Sequence, residues 1–245
     1  SAGTSVITYT ITGTGGCANA TTTASITINS LQACQLNITG GQFIDSAGKP
    51  YSLMALCSSV LGPVVFLLIR NKAISVLGMD QAGFWETMSR ISSSYMLFVT
   101  TLLTVYFLPK LSKSESKEQT RAVFWSYFKG VIPMFILGVT ILFFLKDLIV
   151  PMLLSEKFQP TTSLFFWQLV GDIFKAISLI LGYQFFAKKM TKVFIITESF
   201  SLLVLYSSSI YLTSIFDIKG VVMAHAFTYF IYVIVLGTYF RKTIF

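Results

Sequence analysis

Six apolar runs, near residues 53–69, 88–109, 131–150, 164–187, 193–213 and 220–240, constrain this chain more than any other feature of its sequence. Each approaches the roughly 20 residues that a helix needs to cross the hydrocarbon core of a bilayer. A backbone in lipid must satisfy its own N–H and C=O groups, which leaves only helices or a closed barrel. Runs of this length read as helices, so the sequence predicts an all-α polytopic membrane protein with six transmembrane helices. Only 11% of the residues are charged, against about a quarter in a soluble domain, which is too few to cover a surface that faces water. The third run is the weakest, because Lys146 and Asp147 interrupt it. A lysine in that place can snorkel to the interface. Pro63 and Pro133 lie inside runs, where a neighbouring helix can take up the freed carbonyl.

The first 50 residues are of another kind. Residues 1–49 hold 10 Thr and 7 of the 16 Gly, but one of the 23 Phe and only two charges, Asp45 and Lys49. They are neither apolar enough to span nor charged like a soluble surface. Ile7, Tyr9 and Ile11 alternate with threonines, and Ala24, Ile26 and Ile28 alternate with Ser25, Thr27 and Asn29. That period of two, joined through Gly13–Gly16, predicts a β-hairpin. The string GTSVITYTITGTGGCANATTTASITIN resembles the closing strands of immunoglobulin-like repeats from bacterial surface adhesins. A sandwich of that kind needs roughly 100 residues, so the 1–50 segment is expected not to fold independently of the 51–245 six-helix lobe. The chain starts at Ser1 without a signal segment, which reads as a processed product, a fragment or a fusion. Cys17 and Cys34 could pair if exported. Asn19 and Asn37 head glycosylation triplets, and the three cysteines show no metal-ligand spacing.

Charge between the runs sets an orientation. On alternate connections, one side collects eleven basic residues, with Lys110, Lys113, Lys117, Arg121 and Lys129 in one loop and Lys188, Lys189 and Lys192 in another. The other side collects five, Arg70, Lys72, Lys146, Lys157 and Lys219. The positive-inside rule therefore places both ends of the helical part in the cytoplasm. The 110–129 loop, with Glu115 and Glu118 among its lysines, reads as a solvated cytoplasmic helix touching anionic lipid heads. The net charge of +8 does not point to nucleic acid, because the basic residues sit between apolar runs rather than on one patch.

Ionisable groups inside a bilayer are expensive and usually face a cavity or a partner. Asp172 and Lys175 lie mid-span, three apart and on one helical face, close enough to pair. Gln168 and Tyr183 fall on the same stripe. Arg90 heads a stripe with Ser93, Ser94, Thr101 and Thr104, and Glu198 heads one with Ser201, Ser208 and Ser209. The last span carries His225, Thr228, Tyr229, Tyr232 and Tyr239, with His225 read as a packed or interfacial residue. Ser and Thr stripes commonly serve close helix packing. Four helices with one polar face each nevertheless fit a bundle around a hydrated lumen. A Gly-rich phosphate loop, paired histidines and a Ser-His-Asp order are all missing from the sequence. Transport, not enzymatic catalysis, is the expectation, and no cofactor or metal is implied.

From about Leu53 onward the chain resembles the C-terminal half of O-antigen and enterobacterial common antigen translocases. These are Wzx-type flippases of the multidrug/oligosaccharidyl-lipid/polysaccharide exporter superfamily. LLIRNKAISVLG (67–78), FLPKLS (107–112), LLSEKF (153–158), WQLVGDIFK (167–175) and ITESF (196–200) carry the likeness. The resemblance implies a bacterial inner-membrane protein of polysaccharide and lipopolysaccharide biosynthesis. It would flip an undecaprenyl-diphosphate-linked oligosaccharide, such as an O-antigen repeat unit. The family has twelve or more spans in two lobes, so a missing or separate N-terminal lobe, or a homodimer, is implied as partner beside membrane lipids. For a diphosphate substrate, Arg90 and Lys175 are the expected cations, with Arg70 at the periplasmic mouth. Asp172 and Glu198 would position them or take a coupling ion, and Tyr183, Tyr229 and Tyr232 would stack on sugars. Two rivals are a multidrug/cation antiporter of the same superfamily and an inactive fusion fragment or membrane anchor.

The orientation is open to direct test. Single cysteines in the 113–129 loop and at residues 188–192 should resist an impermeant thiol reagent in intact cells. Cysteines at residues 71–84 and 214–219 should react. External labelling of the 113–129 loop would reverse the topology.

Overall fold

A computed structural model describes residues 3–11, 20–28, 50–153 and 156–244. The chain divides into two compact units, Ser1–Thr39 and Gly40–Phe245. In the first, strands β1 (Gly3–Ile11) and β2 (Ala20–Ile28) pair antiparallel, with Ile7 opposite Ala24 and Ile11 opposite Ala20. The expected turn at Gly13–Gly16, both cysteines Cys17 and Cys34, and Asn19 and Asn37 lie outside the described residues.

Among its described residues the second unit is built of helices joined by short turns. Its elements are α1 (Pro50–Leu77), α2 (Met79–Leu102), α3 (Leu108–Ser112), α4 (Lys117–Leu153), α5 (Phe165–Ala187), α6 (Thr191–Phe216), α7 (Ile218–Tyr239) and the short α8 (Arg241–Ile244). A π-helical turn, Leu103–Phe107, joins α2 to α3 without a break. Pro109 explains its position: the ring removes the N–H that would bond the Val105 carbonyl and crowds that carbonyl. Widening the preceding turn relieves the crowding. A 3-10 helix, Glu156–Leu164, leads into α5.

Among the described residues, six stretches are long and apolar enough to cross a membrane: Cys57–Leu77, Met79–Ser112, Lys117–Met152, Glu156–Ala187, Thr191–Phe216 and Ile218–Tyr239. They match the six expected spans, four of which they contain whole; the first begins at Cys57 rather than 53 and the last ends at Tyr239 rather than 240. Each is longer than its apolar run, because the helix continues into polar residues beyond it. The expected 71–84 connection is therefore mostly helix, and Gly78 alone, at φ 87°, turns the chain from α1 to α2. Asp217, at φ 52°, turns α6 into α7 in the same way. Lys146 and Asp147 do not interrupt α4, since the Lys146 ammonium folds back over the Phe143 ring at 4.2 Å.

Neighbour relations close a ring of five helices: α5 packs on α7, α7 on α6, α6 on α1, α1 on α2, and α2 on α5, while α4 packs against α5. The outer faces are apolar, with Leu137, Phe144 and Leu203 all more than half exposed. Such a surface suits lipid and is a liability in water. α5 and α7 are the most buried spans, and their approach is set by Gly171. A Cβ at that position would stand 2.3 Å from His225 Cδ2 and 3.0 Å from the Ala226 Cα. Small residues at helix interfaces permit this closeness in membranes.

Gly171→Ala should therefore force α5 and α7 apart and lower stability by about 2 kcal/mol. Gly182→Ala, on the same helix, would meet nothing nearer than Leu236 Cδ1 at 3.9 Å and should be tolerated. Thermal unfolding of the two variants in detergent compares them directly.

Candidate functional site

Asp172 is the centre of the helix ring. Its side chain is fully buried, eight residues into α5, and donors from three helices converge on it. Ser92 Oγ and the Tyr95 hydroxyl, both on α2, donate to Oδ2, the former at 2.7 Å. Gln168 Nε2, one turn back on α5, reaches Oδ1 and Oδ2 at 3.2 and 3.3 Å, and Ser92 Oγ at 3.2 Å. His225 Nε2, on α7, stands 2.9 Å from Oδ1. A buried carboxylate needs this kind of saturation, because an unsatisfied acceptor there is costly.

Lys175 lies one turn further along α5, but it is not the ion-pair partner of Asp172. Among the described residues the basic group within 4.0 Å of that carboxylate is His225. The Lys175 ammonium instead sits over the Tyr229 ring, 5.6 Å from its centroid. Tyr229 in turn meets the His225 ring edge to face, at 4.8 Å. Three residues apart on a helix gives only a shared face, and the tightly packed His225 occupies the place at the carboxylate. Lys175 keeps no carboxylate within 4.0 Å among the described residues. It interacts electrostatically with Tyr229, then with Asp172 and Glu198.

Glu198, on α6, accepts a 3.3 Å hydrogen bond from the Tyr232 hydroxyl and interacts with Cys57 on α1 and Lys175 on α5. Tyr232 stands seven residues beyond His225 on α7, about 10 Å along the axis. The ring thus holds two carboxylates at two levels with one ammonium between them. Tyr232 is buried at 6% exposure, so its ring is covered. Tyr183 is equally buried, its hydroxyl 2.7 Å from Thr104 Oγ1 and its ring against Phe107 and Phe186. Of the three tyrosines expected to meet sugars, only Tyr229 is partly open.

Arg70 and Arg90 form a second centre. They grip one carboxylate, Glu86, with Arg70 Nε at 3.1 Å and an Arg90 amino group at 2.8 Å. The Arg90 side chain remains 80% exposed and lines a cavity of about 480 Å³ with Gly83, Thr87, Ser94 and Phe158. Ser92 is two residues past Arg90, about 200° around the helix, so the arginine points away from Asp172. The stripe expected from Arg90 through Ser93 and Ser94 faces outward: both serines are exposed and return their hydroxyls to Ser89 and Arg90 carbonyls. The inward face is Met88, Ser92, Met96, Val99 and Leu103, with Tyr95 beside it. Apolar residues spaced by three and four marked that face, and Ser92 was the polar member within it.

A ring of spanning helices with a polar, charge-bearing interior and an apolar exterior defines an all-α polytopic membrane protein. Two curated proteins match this chain, each described as a Lipid III flippase, one from Escherichia coli (strain K12) and one from Shigella flexneri. Each is 34% identical over 185 residues, which is 74% of this chain and 44% of the relative. The chain thus spans less than half the length of the curated relatives it matches. No protein-family model and no solved structure matches it.

Replacing Asp172 by Ala would strip four donors of their acceptor. At about 0.6 kcal/mol per hydrogen bond within a bilayer, stability should fall by roughly 2 kcal/mol. Asp172→Asn keeps one acceptor oxygen and should fall between that variant and the parent. Unchanged thermal unfolding of Asp172→Ala in detergent would remove this residue from the centre of the fold.

Proposed function

We propose that this chain is one lobe of a flippase that turns an undecaprenyl-diphosphate-linked oligosaccharide, an O-antigen or related repeat unit, from one leaflet of the bacterial inner membrane to the other. The observation that carries the reading is Lys175. It is an ammonium inside a ring of spanning helices, with no carboxylate within 4.0 Å among the described residues. A cation is expensive in that place unless it has work to do, and a phosphate group is the anion that a lysine serves as a point charge. The likeness to two proteins described as lipid flippases supports the substrate class.

In this reading the diphosphate meets Lys175, and Tyr229 offers the neighbouring aromatic face. Arg90, with one amino group held by Glu86, keeps the rest of its fork for a phosphate at the outer level, and Arg70 assists. Asp172 holds the helices in register. Glu198 is the carboxylate to which a coupling proton or sodium ion would come. Alternating access needs a second lobe rocking against the first, so the working unit includes an N-terminal lobe or a second copy of the chain.

The test supplies an N-terminal lobe and scores surface glycan in cells that lack their own flippase, with protein level followed in parallel. Lys175→Ala should reduce glycan at least tenfold, equivalent to about 1.4 kcal/mol, at normal protein amount. Lys146→Ala, which removes the lysine over Phe143, should change little. Full glycan with Lys175→Ala would exclude the assignment, and retained export of cationic dyes without glycan would favour a multidrug antiporter.

A further inference from the structure

The first three turns of α4 carry a charge pattern that the flipping reading does not use. Lys117, Arg121, Trp125 and Lys129 follow one another at intervals of four and form one ridge along the helix. α8 meets this ridge at the Ile244 carbonyl: Arg121 Nε donates to that oxygen at 2.9 Å, and Trp125 Nε1 donates to it at 3.2 Å. That docking brings Lys242 and Thr243 to the ridge and encloses a cavity of about 470 Å³. Among the described residues, four cations line it, Lys117, Arg121, Lys129 and Lys242, against one carboxylate, Glu118. Among the described residues none of the four has a carboxylate within 4.0 Å. Arg121 spends only Nε on the carbonyl, which leaves its terminal amino groups for a bidentate contact.

The cavity lies where a headgroup would be. α4 has 37 residues, about 55 Å of helix, against a hydrocarbon core of about 30 Å. The apolar part begins after Lys129, so the cavity end is the part that emerges from the core. Trp125, partly exposed with the Lys129 ammonium 6.0 Å from its ring centroid, is the residue type that sits at this boundary. A soluble anion needs only the charges, whereas a lipid headgroup also brings a glycerol and acyl stem to lie along Trp125 and Ala122.

We propose that this cavity binds the phosphate headgroup of an anionic phospholipid. The site is separate from Lys175 and does not depend on the identity of the transported molecule. The bound lipid bridges α4 to α8 and fixes α8 on the membrane surface.

The whole chain, purified in nonionic detergent, is titrated with cardiolipin, phosphatidylglycerol or phosphatidylcholine, and lipid adducts are counted by native mass spectrometry. One anionic lipid should be retained roughly tenfold or more tightly than phosphatidylcholine. The triple variant Lys117→Gln/Lys129→Gln/Lys242→Gln, whose side chains make no hydrogen bond among the described residues, should lose that preference. Lys110→Gln/Lys113→Gln/Lys192→Gln, which removes as much charge outside the cavity, should keep it. Equal loss in the two triples would reduce the effect to diffuse surface charge and overturn the site. Displacement of the lipid by equimolar inorganic phosphate would identify a soluble-phosphate site and overturn it as well. Should the first triple fail to fold, Glu118→Lys decides: tighter anionic-lipid binding supports the site, and unchanged binding sinks it.

Discussion

One buried carboxylate organises this helical lobe. Lipid exerts little hydrophobic pressure to bring helices together, so packing and interhelical hydrogen bonds must do it. Asp172 gathers α2 through Ser92 and Tyr95, and α7 through His225, onto α5. The Gly171 backbone lets α7 come close enough for the histidine to reach. The glycine and the aspartate are consecutive, and each would be less effective without the other. A wider gap would leave the carboxylate half-solvated in lipid, and a narrow gap without the carboxylate would hold nothing polar to join.

Much of the architecture was legible before any coordinates. The six spans follow from hydropathy because the bilayer imposes one length and one solution for the backbone. The charged interior was legible as the set Asp172, Lys175 and Glu198, since an ionisable residue within an apolar run stands out by itself. Pairing was not legible. Asp172 and Lys175 share a face by spacing, yet the histidine, two helices further along the sequence in α7, is the group that reaches the carboxylate. Nothing local in the sequence announces a contact across 53 residues.

The second failure was one of phase. On α2, Ser92, Ser93 and Ser94 are chemically alike, and only one of the three faces the ring. Choosing Ser93 and Ser94 follows polarity, whereas the burial pattern of Met88, Met96, Val99 and Leu103 picks out Ser92. Around a helix one residue is about 100°, enough to move a side chain from the interior to the lipid. Glu86 was missed for a related reason. It lies near a span end, where a carboxylate reads as ordinary solvation, and its importance appears only when Arg70 arrives from the preceding helix.

The separation of Asp172 from His225 along the chain also bears on how the protein is made. Spans enter the membrane in order, and α5 arrives carrying both a carboxylate and an ammonium. Each costs about 2.5–3.5 kcal/mol on insertion scales, offset by the aromatic and aliphatic residues that fill the rest of the helix. α2 is already present to offer Ser92 and Tyr95, but the imidazole is not synthesised until α6 has passed and α7 has begun. A single residue, Asp217, joins α6 to α7, so the two helices are neighbours along the chain as well as in the bundle. The contact between Asp172 and His225 therefore forms only once α7 has been made.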